Sequence, residues 1–300
     1  MPLICYVKKR FNAKATETIR QANAIIAEFR EQGFTLTLRQ LYYQFVAREL
    51  IANNLKSYKR LGHIISEARL AGLIDWEAIE DRTRFVRARP HWEDPAGVID
   101  SAAHSYGVDL WEGQDKRVEV WIEKDALVGV AERICRKWDV PLFSCRGYAS
   151  QSELWRAAGR LKDYGCEVVV LHLGDHDPSG KDMTRDIEER LHTFGATDTS
   201  ISRIALNMAQ VRQHKLPPNP AKVTDSRFEG YRAEHGDECW ELDALNPKVI
   251  EQLIDRKIRD VVDVEMFEER EAEQERERKL LKLASAKWPQ IATMLRRRTS

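Results

Sequence analysis

The feature that most constrains this chain is the tract Cys166-Glu167-Val168-Val169-Val170-Leu171-His172-Leu173, followed at once by Gly174-Asp175-His176-Asp177-Pro178-Ser179-Gly180. A nearly continuous apolar run of eight residues, rich in β-branched side chains, is the signature of a strand buried on both faces, as in a parallel sheet covered by helices. The glycine and acidic residues that end it then stand at the carboxyl end of that strand. In open α/β sheets this is the edge where ligands bind. Within an extended segment, side chains two residues apart point to the same side, so Asp175 and Asp177 can converge on one cation.

The surrounding rhythm agrees with such a sheet. Arg117–Ile122 reads as a strand, 125–138 as a helix, 140–145 as a strand, 150–163 as a helix, 166–173 as the buried strand, 180–193 as a helix and 201–206 as a strand. Alternating elements with short connections predict a right-handed parallel α/β domain over 117–245. Pro217, Pro218 and Pro220 interrupt the pattern, after which 247–264 carries Ile250, Leu253, Ile254, Ile258 and Val261 at helical spacing. Residues 246–300 form a C-terminal helical segment. Its stretch 268–279, with ten charged residues of twelve, reads as a solvated helix without chemistry.

Ahead of the sheet lies a helical region, 1–92. Ile19, Ala22, Ile26 and Phe29 place a helix over 13–31, stopped by Gly33. Thr37-Leu38-Arg39-Gln40 is a capping-box pattern opening a helix that runs to about Leu50. Ser57 can cap a third helix, ending near Gly72, and Arg82–Arg87 alternates like a short strand. Helix, turn, helix and basic β-segment outline a winged helix-turn-helix, a unit that reads duplex DNA. Residues 88–116 contain two prolines, several glycines and no sustained period, which makes 93–116 a linker.

Of 300 residues, 43% are apolar and 32% charged, enough for real cores and unlike a disordered polymer. No run approaches the ~20 apolar residues of a membrane span, and the first residues do not read as a signal peptide. The five cysteines are odd in number and form no C-x-x-C pair, against a disulfide framework or zinc knuckle. The expectation is a soluble cytoplasmic, nucleoid-associated protein. Net charge is zero but unevenly spread: through residue 92 there are sixteen Lys/Arg against nine Asp/Glu, leaving 32 against 39 beyond. A basic first third beside an acidic remainder suits a polyanion-binding module joined to a carboxylate-rich one.

Carboxylate oxygens without thiolates favour a hard cation, Mg²⁺ or Mn²⁺. Glu123, at the end of the strand preceding Lys124 and Asp125, can join Asp175 and Asp177 as a third ligand. Trp240-Glu241-Leu242-Asp243 could add further acids near the metal. Gly174 to Gly180 followed by Lys181 imitates a P-loop, but it is one residue too long and has Asp182 where Ser or Thr is needed. His172 and His176 are four apart, a metal-like spacing, yet Gly174 and Pro178 oppose a helix there; His172 reads as a packed strand residue and His176 as a candidate lining residue.

A Glu ending one strand and D-x-D-P-x-G after a later one resemble the Toprim domain. Gly174–Gly180 is similar, more specifically, to the Toprim motif of the topoisomerase VI A subunit and its meiotic double-strand-break relatives. In that family a winged-helix domain precedes the Toprim and carries a K-R-x-I-Y-Y-type motif ending in the catalytic tyrosine. Here Leu38-Arg39-Gln40-Leu41-Tyr42-Tyr43 stands in the corresponding region, with Leu38 in place of the lysine and Leu41 in place of the isoleucine. The resemblance spans roughly 35–206 and is nearest to compact A-type homologues of phages and mobile elements. It implies DNA cleavage by tyrosine transesterification, a 5′-phosphotyrosyl link, a homodimer on double-stranded DNA, and a separate ATPase partner wherever strand passage follows. A related branch, the nuclease subunit of a plasmid-defence system, implies the alternative: hydrolysis without a tyrosine. A third possibility is a DNA-binding regulator with a degenerate Toprim, opposed by the intact Glu123, Asp175 and Asp177.

Helical geometry bears on the tyrosines independently. Leu38, Leu41, Tyr42, Phe45 and Val46 form the stripe that faces a core, so Tyr42 reads as core. Tyr43 lies about 100° round the helix, where it reads as exposed, sharing its face with Arg39 at i−4. A guanidinium there can bind the scissile phosphate or help ionise the phenol. The expected site is therefore Tyr43 as nucleophile, Arg39 as assistant, and Glu123, Asp175 and Asp177 as metal ligands.

Overall fold

The computed structural model describes residues 3–79, 89, 91–221 and 223–299. Three helices come first: α1 (Ala13–Glu31), α2 (Leu38–Ala47) and α3 (Leu55–Leu70). Each starts on a side-chain cap. Asn12 accepts from the Ala15 N–H, and Thr37 and Gln40 close the expected capping box, Thr37 N–H to Gln40 Oε1 at 2.8 Å. The cap of α3 is Asn54, not Ser57, because Asn54 Oδ1 reaches the Ser57 N–H at 2.9 Å and starts the helix earlier. Helix α2 stops three residues short of Leu50, since Glu49 turns left-handed at φ 56°. The expected strand 82–87 lies outside the described residues.

Helix α4 (Pro95–Ser105) follows, in the stretch expected to be a linker. Asp94 caps it through the Gly97 N–H and Pro95 opens it. Its small residues (Ala96, Ala102, Ala103) gave little apolar periodicity to read. The sheet and its helices come next: β1 (Lys116–Ile122), α5 (Val128–Lys137), β2 (Leu142–Ser144), α6 (Gln151–Asp163), β3 (Glu167–Leu173), α7 (Pro178–Thr193) and β4 (Thr199–Ala205). Helix α8 (Met208–His214) leads to the short hairpin β5 (Asn219–Pro220) and β6 (Glu238–Cys239), which flanks α9 (Phe228–His235). Then come α10 (Pro247–Arg259), α11 (Val264–Ala286) and α12 (Trp288–Thr299). The helix expected over 247–264 is broken at 260–263, where Asp263 caps α11.

The chain forms two compact units. One comprises 1–84 and 118–258, the other 85–117 and 259–300. In the second, α4 packs along α11, which buries Phe267 and Gln274 and exposes most of its charges. Gln274 Oε1 receives the Val108 N–H and Trp111 meets Phe267 edge-on.

In the first unit the four strands are parallel, ordered β2-β1-β3-β4. The chain leaves β1 toward one edge and, after β2, returns to the far side of β1 to form β3. The strand order therefore reverses between β1 and β3, and the crevice at their carboxyl ends is where ligands of such sheets bind. Val168 and Val170 with Trp121 face α6 and α7, packing on Leu154, Ala157, Leu161, Met183, Ile187 and Leu191. One charge is buried beside this core: Glu119 of β1 is fully inaccessible. Arg160 grips it with two bonds of 2.8 and 2.9 Å, and Trp121 Nε1 and Tyr164 Oη donate the others. No helix of the described residues is long and apolar enough to cross a membrane.

Removing Arg160 leaves a carboxylate in the core with only neutral donors. Arg160→Ala is expected to lower stability by about 3 kcal/mol, the low end for breaking a buried pair, because Arg160 itself is partly exposed. Urea unfolding should also find Glu119→Gln milder, since the amide oxygen can still accept from Trp121 or Tyr164.

Candidate functional site

The crevice between β1 and β3 gathers five carboxylates. Glu123 ends β1, where its N–H bonds the Leu173 carbonyl at 2.9 Å, and its Oε2 accepts the Asp175 N–H at 2.9 Å. Asp175 is buried; its Oδ1 accepts the Leu242 N–H at 2.9 Å and its Oδ2 pairs with Lys124 Nζ at 2.6 Å. Asp177 caps α7, taking the Gly180 N–H at 2.6 Å, and Pro178 is the first helical residue. Glu241 and Asp243 arrive from the segment after β6.

Three cations oppose these acids. Arg39 of α2 pairs with Glu241 and, at 2.8 Å, with Asp243. Lys124 joins Asp175 to Glu241. Arg203 of β4 lies beneath the loop, donating to the carbonyls of Gly174 (3.0 Å), Asp175 (2.5 Å) and Gly180 (2.8 Å). With every group ionised the cluster carries two excess negative charges, and the electrostatics reflect it. Burial, then the neighbouring Asp175, push the Glu123 carboxyl up to about 7. Burial also raises Asp243, against the pull of Arg39 and Lys124.

The motif's glycines have steric causes. A Cβ at Gly180 would collide with the Asp175 carbonyl oxygen, and one at Gly174 would stand 2.9 Å from Glu123 Oε2. The first turn of α7 thus closes directly onto the acidic loop, an approach open only to glycine.

Helix α2 supplies the opposite wall. It packs on Leu242–Ala244, so it is covered on more than the stripe expected from its sequence. Tyr43 is 4% exposed and Tyr42 5%, and both line a cavity of about 480 Å³. Arg39, Lys124, Asp175, Asp177 and Glu241 line the same cavity. Two expectations about the tyrosines change here. Tyr43 is buried, not exposed. Tyr42, read as core alone, has a partnered hydroxyl, which donates to Asn53 Oδ1 at 2.9 Å. Burial raises the Tyr43 phenol, while Arg39, Asn219 and Lys124 act to lower it and Asp243 to raise it.

All five expected site residues border this crevice or its cavity. Lys124, Arg203 and Asn219 were not foreseen. Lys124 lies within the Glu123-Lys124-Asp125 tract already under suspicion, whereas Arg203 and Asn219 sit in segments with no motif. His172 is a packed strand residue as expected, fully buried, with Nδ1 2.9 Å from Thr184 Oγ1. His176 does not line the cavity. Its backbone pairs with Trp240, and its ring lies among Tyr231, His235 and Trp240.

Among the described residues no three His, Cys, Asp or Glu side chains stand in a ligating arrangement. Asp175 Oδ2 is turned to Lys124, and Asp177 Oδ1 to its helix. The donor set nonetheless fits a hard divalent cation: it is all oxygen, and its charge excess equals the charge of one such ion. No protein-family model and no curated protein matches the chain.

Two outcomes are expected. Gly180→Ala must part α7 from the acidic loop, costing about 1–3 kcal/mol as an overpacking substitution, and should show as a lowered urea midpoint. The second concerns His172 and His176, which burial depresses to about 3 and about 4. Their stabilising contribution is complete above the unfolded-state value of about 6.5 and is lost as pH falls toward the folded values, by up to ~1.4 kcal/mol per unit for each histidine. Unfolding free energies measured from pH 7 to 4.5 should show this slope, reduced in His172→Asn.

Proposed function

We propose that the protein cuts double-stranded DNA by transesterification, with Tyr43 as the nucleophile. The observation that carries the reading is the shared cavity: Tyr43 and Arg39 from one side, Lys124, Asp175 and Asp177 from the other. The resemblance to Toprim proteins of the topoisomerase VI A type supports the same assignment. Tyr43 Oη attacks phosphorus and the P–O3′ bond breaks. The phenolic proton passes to solvent, and the 3′ oxygen takes a proton from solvent and leaves as a hydroxyl, with the 5′ phosphate on the tyrosine. Arg39 and Lys124 offer positive charge to the phosphate once it displaces their carboxylate partners. Mg²⁺ or Mn²⁺, held by Glu123, Asp175 and Asp177, would supply Lewis-acid stabilisation of charge on the phosphoryl oxygens. One tyrosine serves one strand, so a double-strand break calls for a homodimer. The winged-helix reading of the N-terminal helices supplies the duplex contact, and strand passage would need a separate ATPase partner.

The burial of Tyr43 favours a second reading, in which water is the nucleophile and the ring only walls the cavity. The two readings differ in their products. Transesterification leaves DNA ends bearing covalent protein that survives detergent and yields to protease, whereas hydrolysis leaves free ends. Tyr43→Phe is expected to abolish cutting. Asp175→Asn is expected to abolish it too, and to remove the rise in melting temperature on adding Mg²⁺ or Mn²⁺, while duplex binding persists. Protein-free ends made by Tyr43→Phe at the wild-type rate would establish the hydrolytic reading. Full cutting by wild type in excess chelator would end both.

A further inference from the structure

Two asparagines far apart in sequence meet behind the tyrosines. Asn53 lies in the turn between α2 and α3, and Asn219 opens the β5–β6 hairpin, where it pairs in register with Cys239. Every polar atom of the Asn53 side chain is engaged. Its Oδ1 accepts the Tyr42 hydroxyl at 2.9 Å, and its Nδ2 donates to the Pro218 carbonyl at 2.9 Å and to Asn219 Oδ1 at 2.6 Å.

This pattern fixes which way the second carboxamide faces. With Asn53 donating, Asn219 must present its oxygen to Asn53, because the reverse orientation would set two NH₂ groups against each other. The NH₂ of Asn219 is then the end left for the cavity that Tyr43 also lines, and Asn219 acts to lower the Tyr43 phenol, as a donor to its oxygen would. Tyr42, Asn53 and Asn219 form one hydrogen-bonded chain, and it lines the same cavity as Tyr43. A buried phenol without such a donor is poorly disposed to carry negative charge.

We infer that Asn219 is a catalytic residue that donates a hydrogen bond to the Tyr43 oxygen as it becomes the nucleophile, and that Asn53 is a positioning residue that fixes the donor's orientation. The inference rests on the reading of Tyr43 as nucleophile. The charged groups that also face this phenol are Arg39 on its own helix, Lys124 after β1, and Asp243 beside α2. None of them lies in the segments that carry the two asparagines.

The test uses the full chain with a fluorinated tyrosine at position 43, whose ring ionises at lower pH and whose ¹⁹F signal reports that position alone. Asn219→Ala should move its titration to higher pH by about one unit, the equivalent of one hydrogen bond. Asn219→Asp, which keeps the contact with Asn53 but cannot donate, should move it at least as far. Asn53→Ala should shift it in the same direction by less. With native tyrosine, Asn219→Ala should slow covalent attachment to saturating DNA on the order of tenfold at neutral pH. That deficit should narrow as pH rises, with DNA affinity unchanged. An unshifted titration in both Asn219 variants, with melting temperatures near that of the parent, would overturn the inference. A shifted titration in a wild-type chain that never attaches to DNA would keep the hydrogen bond and overturn the nucleophile.

Discussion

Like charges crowded into a low-dielectric crevice repel, and the whole site is organised around containing that repulsion. Glu123, Asp175, Asp177, Glu241 and Asp243 lie where the strand order of the sheet reverses, and Arg39, Lys124 and Arg203 hold them together. Each cation comes from a different element: α2, the end of β1, and β4. The helical region is thereby bound to the sheet by charge as well as by apolar packing, since Arg39 reaches acids that only the segment after β6 can supply. Arg203 acts from below, through hydrogen bonds to the carbonyl oxygens of the loop.

The steric and electrostatic requirements of the loop are tied to one another. Gly180 lets the first turn of α7 approach the Asp175 carbonyl, and that approach brings the Gly180 N–H to the carboxylate of Asp177. Asp177 is thus both helix cap and member of the acidic cluster. A helix N-terminus carries partial positive charge, so the cap also relieves part of the local negative excess. One short motif sets the backbone, starts the helix and moderates its own charge.

Much of this architecture was readable from the chain because short-range signals agreed. The apolar run into Gly174 gave the buried strand and its loaded end, and the Thr37–Gln40 box gave the start of α2. Where the reading fell short, long-range partners decided the outcome. Tyr43 looked exposed because a helical stripe describes one buried face, and nothing in α2 announces that residues 242–244 cover another. Tyr42 is buried as its place in the stripe predicts, but its Asn53 partner lies beyond a turn and left no signal in the helix. Asn219 follows two prolines and resembles any loop residue until the hairpin places it beside Asn53. Helix α4 was missed because alanines pack closely without a strong apolar period.

The ion pairs of Arg39 span a long stretch of chain: Glu241 lies 202 residues further on. Because synthesis delivers the amino terminus first, α2 is made long before either of its acidic partners exists. A chain interrupted before residue 241 holds the tyrosine and the arginine without the two acids that pair with Arg39, and that part of the cavity wall is missing. The same separation means that the wall closes only when the hairpin and the segment after it have docked. This order of assembly withholds the complete site until nearly the whole of the first unit has been made.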